Sequence, residues 1–293
     1  MKIAIFGLAY QSPVTPYVEH LFQLLKTNNV EIWVYKDFDE FLSGQMEMGE
    51  RRTFSDRVEL PPDIAFMLSL GGDGTMLSAV SLLRNSEIPV TGINLGRLGF
   101  LASINKENIE PALKALINKE YTIQKRTLLS VDAEGRELFE GDSFALNDIT
   151  VLKRGSSAMI TVSVYLNEEL LNAYWADGII FATPTGSTAY SLSCGGPIIL
   201  PGSGNFLITP ISPHNLNVRP MVISDSDVLT VVIESRSANF LLSCDSRTID
   251  LPTSIKLRIS KANFHINLIR LKNESFFSTL RQKLLWGLDT RNY

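Results

Sequence analysis

Hydrophobic and polar positions alternate with two different textures along the chain. Between residues 3 and 94, short apolar runs (Ile3–Gly7, Val30–Tyr35, Ile64–Leu70 and Pro89–Asn94) alternate with segments of helical spacing. In 17–25, Val18, Leu21, Phe22 and Leu25 recur on one face. Met76, Leu77, Val80 and Leu83 do so after the third run. Strands alternating with helices predict a parallel sheet covered on both faces. Residues 38–52 are polar with scattered apolar positions, and predict a helix followed by a mobile loop.

After Phe100 the texture changes. Residues 108–117 predict a helix that connects two domains. From Tyr121 the period shortens: Leu128, Ser130, Val131 and Ala133, then 150–152, then Val162, Val164 and Leu166. Residues 222–223, 228–234, 240–244 and 255–259 behave likewise. Turn residues such as Glu134-Gly135 and Asn167-Glu168 separate them. Many short strands between turns predict an all-β, sandwich-like second domain. Phe276, Phe277, Leu280, Leu284 and Leu285 predict a closing amphipathic helix that returns to the first domain, with both phenylalanines in the core. The expected division is 1–102 with 270–293, an α/β domain, and 103–269, a β-rich domain.

Composition narrows this picture. A chain of 293 residues is long for one core. Its 45% hydrophobic and 20% charged residues are those of an ordinary globular protein. A net charge of −4 without a basic stripe excludes a general nucleic-acid binder. No apolar run approaches the roughly 20 residues that span a bilayer, and the apolar start at Met1–Gly7 is too short for a signal peptide. Cys194 and Cys244 are too few for a disulfide framework and read as free thiols of a reducing cytoplasm. His20, His214 and His265 lack metal-ligand spacing, and no metal site is expected in the chain.

The chemistry concentrates in three stretches. The first is Gly71-Gly72-Asp73-Gly74-Thr75, between a predicted strand and a predicted helix. Glycine lets the backbone approach a ligand, and a helix start offers free N–H groups to phosphate. The stretch reads as a phosphate cradle with the Asp73 carboxylate at its lip. An ordinary turn capped by Asp73 or Thr75 is the alternative. It is neither a Rossmann G-x-G-x-x-G nor a Walker loop.

The second stretch is Asn147-Asp148, an amide beside a carboxylate at a predicted strand end or bulge, suited to a vicinal diol such as a ribose. An Asx turn is the alternative. The third runs from Asp177 through Thr183-Pro184-Thr185-Gly186-Ser187-Thr188-Ala189-Tyr190-Ser191-Leu192-Ser193. Six hydroxyls crowd a predicted helix start. A core would need partners for each of them, whereas a nucleotide could use them. Tyr190 is placed to pack on a ring.

Together the three stretches resemble the NAD kinase family of the bacterial type. Supporting matches are Asn94-Leu95-Gly96-Arg97-Leu98-Gly99-Phe100 and Ser243-Cys244-Asp245-Ser246. The glycine motif alone is shared with lipid kinases and, loosely, phosphofructokinases. The resemblance implies a Rossmann-like or phosphofructokinase-like first domain, and transfer of the ATP γ-phosphoryl group to the 2′-hydroxyl of the adenosine ribose of NAD, giving NADP. It implies Asp73 as the general base or orienting group, with Gly74 in the same turn and Phe100 against adenine. Asn147, Asp148 and Asp177 are implied as ligand contacts, and Thr188, Ala189, Tyr190, Ser191, Leu192 and Ser193 as the adenosine wall. It further implies a divalent cation, Mg²⁺, carried with ATP, and a homodimer or homotetramer. The chain departs from the family pattern at Trp175, Ala158, Ser78 and Arg247, which weakens the transfer of phosphate contacts. Two other readings stay open: a lipid or sphingoid-base kinase, and a non-enzymatic NAD(P) sensor.

Overall fold

The computed structural model describes residues 1–11, 14–96, 99–134, 136–155, 158–272 and 275–286. Arg97, Leu98 and Gly135 lie outside the described residues. The chain forms two compact units, Met1–Lys125 with Ile266–Tyr293, and Arg126–His265. The boundaries expected at 102/103 and 269/270 lie before the first of these junctions and after the second.

In the first unit the order is β1 (Lys2–Gly7), α1 (Thr15–Thr27), β2 (Glu31–Tyr35), α2 (Lys36–Ser43), β3 (Arg52–Phe54), β4 (Ile64–Leu70), α3 (Asp73–Leu83), β5 (Val90–Asn94), β6 (Ile104–Asn105) and α4 (Ile109–Ile117). The long strand β7 (Tyr121–Ala133) leads into the second unit. The sheet is parallel, in the order β6-β5-β4-β1-β2-β3. One core layer joins Ile3, Ile5, Phe66, Leu68 and Leu70 of the sheet to the buried faces of α1 and α4. Met76, Ala79, Val80 and Leu83 are the buried positions of α3, which packs on β4, β5 and β1. Leu77 is only half-buried, and Ala79 takes the place expected for it. The run 108–117 is a core helix rather than a connector, because Ile109, Ala112, Leu113 and Leu116 are all buried in this layer. The loop expected before residue 52 ends in strand β3, which pairs with β2 through Trp33 and Arg52. The Arg51 guanidinium bonds the Asp39 carboxylate and the Ser43 hydroxyl.

In the second unit the order is β8 (Phe144–Ala145), β9 (Asp148–Lys153), β10 (Ile160–Leu166), β11 (Glu169–Ala176), β12 (Gly178–Ala182), α5 (Tyr190–Ser193), β13 (Asn205–Ile211), β14 (Met221–Ser224), β15 (Leu229–Glu234), β16 (Asn239–Cys244) and β17 (Arg247–Pro252). Strand β18 (Leu257–Leu271) then leads back to the first unit, and α6 (Phe276–Leu284) follows it. A six-stranded antiparallel sheet runs β14-β13-β12-β9-β16-β17. The series β11-β10-β15-β18 is also antiparallel. Ile149, Val151, Ile179, Phe181, Phe206 and Phe240 of the first share one core with Val162, Val164, Val231, Ile233 and Leu257 of the second. This is the expected sandwich. Alternation along β10, with Ile160, Val162 and Val164 buried between half-buried Thr161 and Ser163, follows from the two-residue period of a strand.

The return of the last helix is observed: α6 lies in the first unit and buries Leu280 and Thr279. Phe277 and Leu285, expected inside, are 54% and 63% exposed. Leu285 has left the helix at a left-handed C-cap, which turns its side chain off the buried stripe.

Candidate active site

The glycine stretch forms the turn between β4 and α3, at the carboxyl end of a parallel strand, where ligands of open α/β sheets bind. Gly72 is the N-cap of α3, and no side chain caps the helix. The alternative of an Asp73 or Thr75 cap is therefore set aside, and the first-turn amides are free of side-chain acceptors. Gly72 and Gly74 have no unusual φ, and a Cβ on either would meet no atom within 4 Å. The fold of the chain does not itself require glycine at these two positions.

Asp73 turns back from α3 onto a second turn. Its Oδ2 accepts the Phe100 N–H at 2.8 Å, and its Oδ1 accepts the N–H groups of Leu101 at 3.1 Å and Ala102 at 3.0 Å. A Cβ on Gly99 would collide with this carboxylate, so the bond set depends on glycine there. A carboxylate offers about four lone-pair positions, of which three are used. Phe100 is half-buried; its carbonyl accepts from Arg270 at 3.1 Å, and Lys283 Nζ of α6 lies 5.7 Å from its ring centroid.

In the second unit Asn147 ends the segment before β9, and Asp148 is the first residue of that strand, as the strand-end reading expects. Asp148 is 7% exposed and accepts the Thr150 hydroxyl at 2.8 Å. Burial pushes its carboxyl up to about 6; the Thr150 bond works against this and the nearby Asp245 charge adds to it. Asp177, between β11 and β12, pairs with Lys153 Nζ at 2.6 Å.

The hydroxyl-rich stretch corrects an expectation. The helix that starts there is only one turn long. The stretch is a 3₁₀ turn at Gly186–Thr188 followed by the four residues of α5. Its hydroxyls largely serve the protein. Thr183 Oγ1 donates to Leu146 O at 2.5 Å and accepts from Gly186 N at 3.1 Å. Ser187 Oγ donates to Pro184 O at 2.7 Å and accepts from Ile199 N at 3.0 Å. Thr188 donates to Thr185 O, and the buried Ser191 hydroxyl pairs with Thr209 Oγ1 at 2.8 Å. The segment 183–199 covers the outer face of β12 and β13, so Ile180, Ala182 and Leu207 are buried on that side too. Tyr190 is 42% exposed, Ser193 is exposed, and Thr188, Ala189 and Leu192 are half-buried. His214 is exposed, with its ring 4.2 Å from that of Trp175.

Sequence reasoning missed Lys153, Thr209 and any role for Asp245. Lys153 of β9 meets Asp177 just before β12, and Thr209 of β13 meets Ser191 of α5; nothing local in the sequence marks either. Asp245 was visible in a quoted motif. Its carboxylate accepts the N–H groups of Leu146 at 2.9 Å, Asn147 at 2.8 Å and Asp148 at 3.2 Å.

Among the described residues there is no group of three His, Cys, Asp or Glu able to hold a metal ion. None of their helices is long and apolar enough to cross a membrane.

Comparison with known proteins covers the whole chain. Residues 3–121 match the family model described as the ATP-NAD kinase N-terminal domain, and residues 146–271 the ATP-NAD kinase C-terminal domain. The NAD kinase of Flavobacterium psychrophilum is 46% identical over 294 residues, covering 100% of both chains. A solved NAD kinase from Archaeoglobus fulgidus in complex with ATP is similar with a TM-score of 0.74 at 27% identity, covering 97% of this chain and 99% of its own. A yeast NADH kinase complexed with NADH shares the fold with a TM-score of 0.85 at 24% identity, covering 100% of this chain and 90% of its own.

Proposed function

The chain belongs to the ATP-NAD kinase family, whose activity is ATP-dependent phosphorylation of NAD, and we propose that within this activity Asp73 acts on the hydroxyl that becomes phosphorylated. The hydroxyl is the 2′-OH of the adenosine ribose, and the product is NADP. The observation that carries this reading is the carboxylate of Asp73, held by three amides at the mouth of an uncapped helix start with open space over Gly72 and Gly74.

A hydroxyl is a weak nucleophile at neutral pH, so a fixed acceptor that orients it and takes its proton lowers the barrier. Three bonds leave Asp73 one lone-pair position for that hydroxyl, and they fix its direction. Phosphoryl transfer otherwise depends on alignment and charge neutralisation. The amides of the first turn of α3 face the phosphates of ATP in this reading, and Gly72 and Gly74 let those phosphates come close. A divalent cation, Mg²⁺, held by the triphosphate supplies the remaining neutralisation of charge. Asp73 has its oxygens engaged by amides, which fits a cation carried by the nucleotide rather than by a protein cage.

Asn147, Asp148 and Asp177 then contact the dinucleotide, with Tyr190 stacking on a ring and Thr188, Ala189, Leu192 and Ser193 lining the same segment. Ser191 supports that segment through Thr209. Phe100, beside the Asp73 turn, packs on adenine. A homodimer or homotetramer in the reducing cytoplasm completes the reading; free Cys194 and Cys244 are consistent with that compartment.

The test is purified protein with NAD, ATP and Mg²⁺, with the product identified by mass and by NMR of the ribose. NADP carrying a 2′-phosphate supports the reading, and phosphate at another hydroxyl sinks it. Turnover of diacylglycerol in place of NAD would select the lipid-kinase alternative, and tight NADPH binding without turnover the sensor.

A further inference from the structure

We propose that Asp245, assisted by Arg247, is a positioning residue that sets the Asn147–Asp148 pair for the dinucleotide. The inference rests on the reading that this pair contacts NAD.

Residues 146–148 have every backbone group in use. Their three N–H groups go to one carboxylate, that of Asp245. The Leu146 carbonyl accepts the Thr183 hydroxyl, the Asn147 carbonyl accepts the Thr183 N–H at 2.9 Å, and the Asp148 carbonyl accepts the Asp245 N–H at 2.9 Å. A backbone bonded at every donor and acceptor holds its side chains in one direction. Arg247 secures the approach to this segment. Its guanidinium donates to the carbonyls of Asp142 and Phe144 and lies 5.1 Å from the Phe144 ring centroid.

Asp245 and Ser246 form the two-residue turn between β16 and β17, since Cys244 pairs with Arg247. Asp245 has φ 52, a conformation that asparagine adopts as readily as aspartate. What aspartate adds over asparagine is the second acceptor oxygen. Desolvating a carboxylate is costly, and burial pushes this one up against the pull of three amides and Arg247. A turn with no duty toward residues 146–148 would not need the charge. The same arrangement occurs in the first unit, where Asp73 gathers the amides of residues 100–102.

The experiment is steady-state kinetics on the full chain and its Asp245→Asn, Arg247→Met and Asn147→Ala variants, varying NAD and ATP in turn, with melting curves alongside. Loss of a preset geometry predicts that Asp245→Asn raises KM for NAD by about 10-fold or more, leaving KM for ATP within about 2-fold. Arg247→Met moves KM for NAD in the same direction by about 3-fold or more. A merely structural role would lower the amount of active enzyme without separating the two KM values. If Asn147→Ala raises KM for NAD and Asp245→Asn does not, the positioning role is overturned while the assignment of the pair stands. If Asn147→Ala leaves KM for NAD unchanged, the assignment of the pair falls and this inference falls with it. Should Asp245→Asn fail to fold, Arg247→Met decides: an unchanged KM for NAD overturns the proposal.

Discussion

Lys153 and Asp177 form an ion pair at 2.6 Å, with the main-chain N–H of Lys153 also bonded to the Asp177 carbonyl at 2.9 Å. The residue expected to meet the ligand thus already has a cation beside it, supplied by β9. Both side chains are partly exposed, so the pair contributes about 0.2–1 kcal/mol to stability. In the proposed reading, where Asp177 contacts the dinucleotide, the effect on that anionic ligand is larger, because Lys153→Met leaves the Asp177 carboxylate unneutralised beside it. We expect KM for NAD to rise about 3- to 10-fold in Lys153→Met with little change in melting temperature. The Lys153→Met, Asp177→Asn double mutant recovers part of the loss; a cycle that shows no coupling removes the pair from the site.

Replacing Asp73 separates chemistry from binding. Asp73→Asn keeps the size of the side chain but loses an acceptor edge toward Phe100, Leu101 and Ala102. The cost in stability is about 1–3 kcal/mol. NAD affinity stays within a few-fold, and the phosphorylation rate falls by roughly 10²-fold or more. Single-turnover rates with binding measured by calorimetry test this, and a near-normal rate in a folded Asp73→Asn protein eliminates the acceptor role.

Gly74→Ala distinguishes a phosphate cradle from a plain turn. A Cβ on Gly74 meets nothing within 4 Å, and alanine favours the helix by up to about 1 kcal/mol over glycine. The melting temperature therefore holds or rises. KM for ATP is expected to rise about 5-fold or more, because the methyl group occupies the space where phosphate approaches. A variant as active as the parent would leave the glycine without a ligand to explain it.

Asp148 makes stability depend on pH. Its folded carboxyl titrates near 6, against 3.8 as the ordinary value, because it is buried. The folded state then binds more protons than the unfolded chain between those values, so this group favours folding as pH falls through about 6 and disfavours it above. The difference of about 2 units corresponds to at most about 3 kcal/mol. Asp148→Asn, which still accepts from Thr150, should melt higher than the parent at pH 7.5 and lose that advantage near pH 4. An advantage that persists unchanged at pH 4 would show that burial of the charge is not the cause.

Much of this protein follows from local pattern. The period of 3.6 put Val18, Leu21, Phe22 and Leu25 on the buried face of α1, and the period of 2 put Val162 and Val164 inside the sandwich. Gly-Gly-Asp-Gly between a strand and a helix placed the turn from β4 into α3, because turn chemistry and helix starts are written in adjacent residues. The fate of polar groups was not so written. Whether the hydroxyls of 183–191 face a ligand or the protein depended on Leu146, Ile199 and Thr209, which are 12 to 37 residues from the hydroxyls they meet. The run 108–117 looked like a connector because its pattern shows an apolar face without showing which core receives it. Asp73 stood out as a lone carboxylate and Asp245 only as part of a motif, and only the folded chain brought three consecutive amides to each. Hydrogen-bond partners far apart in sequence are selected by strand register and chain crossing, and these follow from the packing of the whole chain rather than from any one stretch of it.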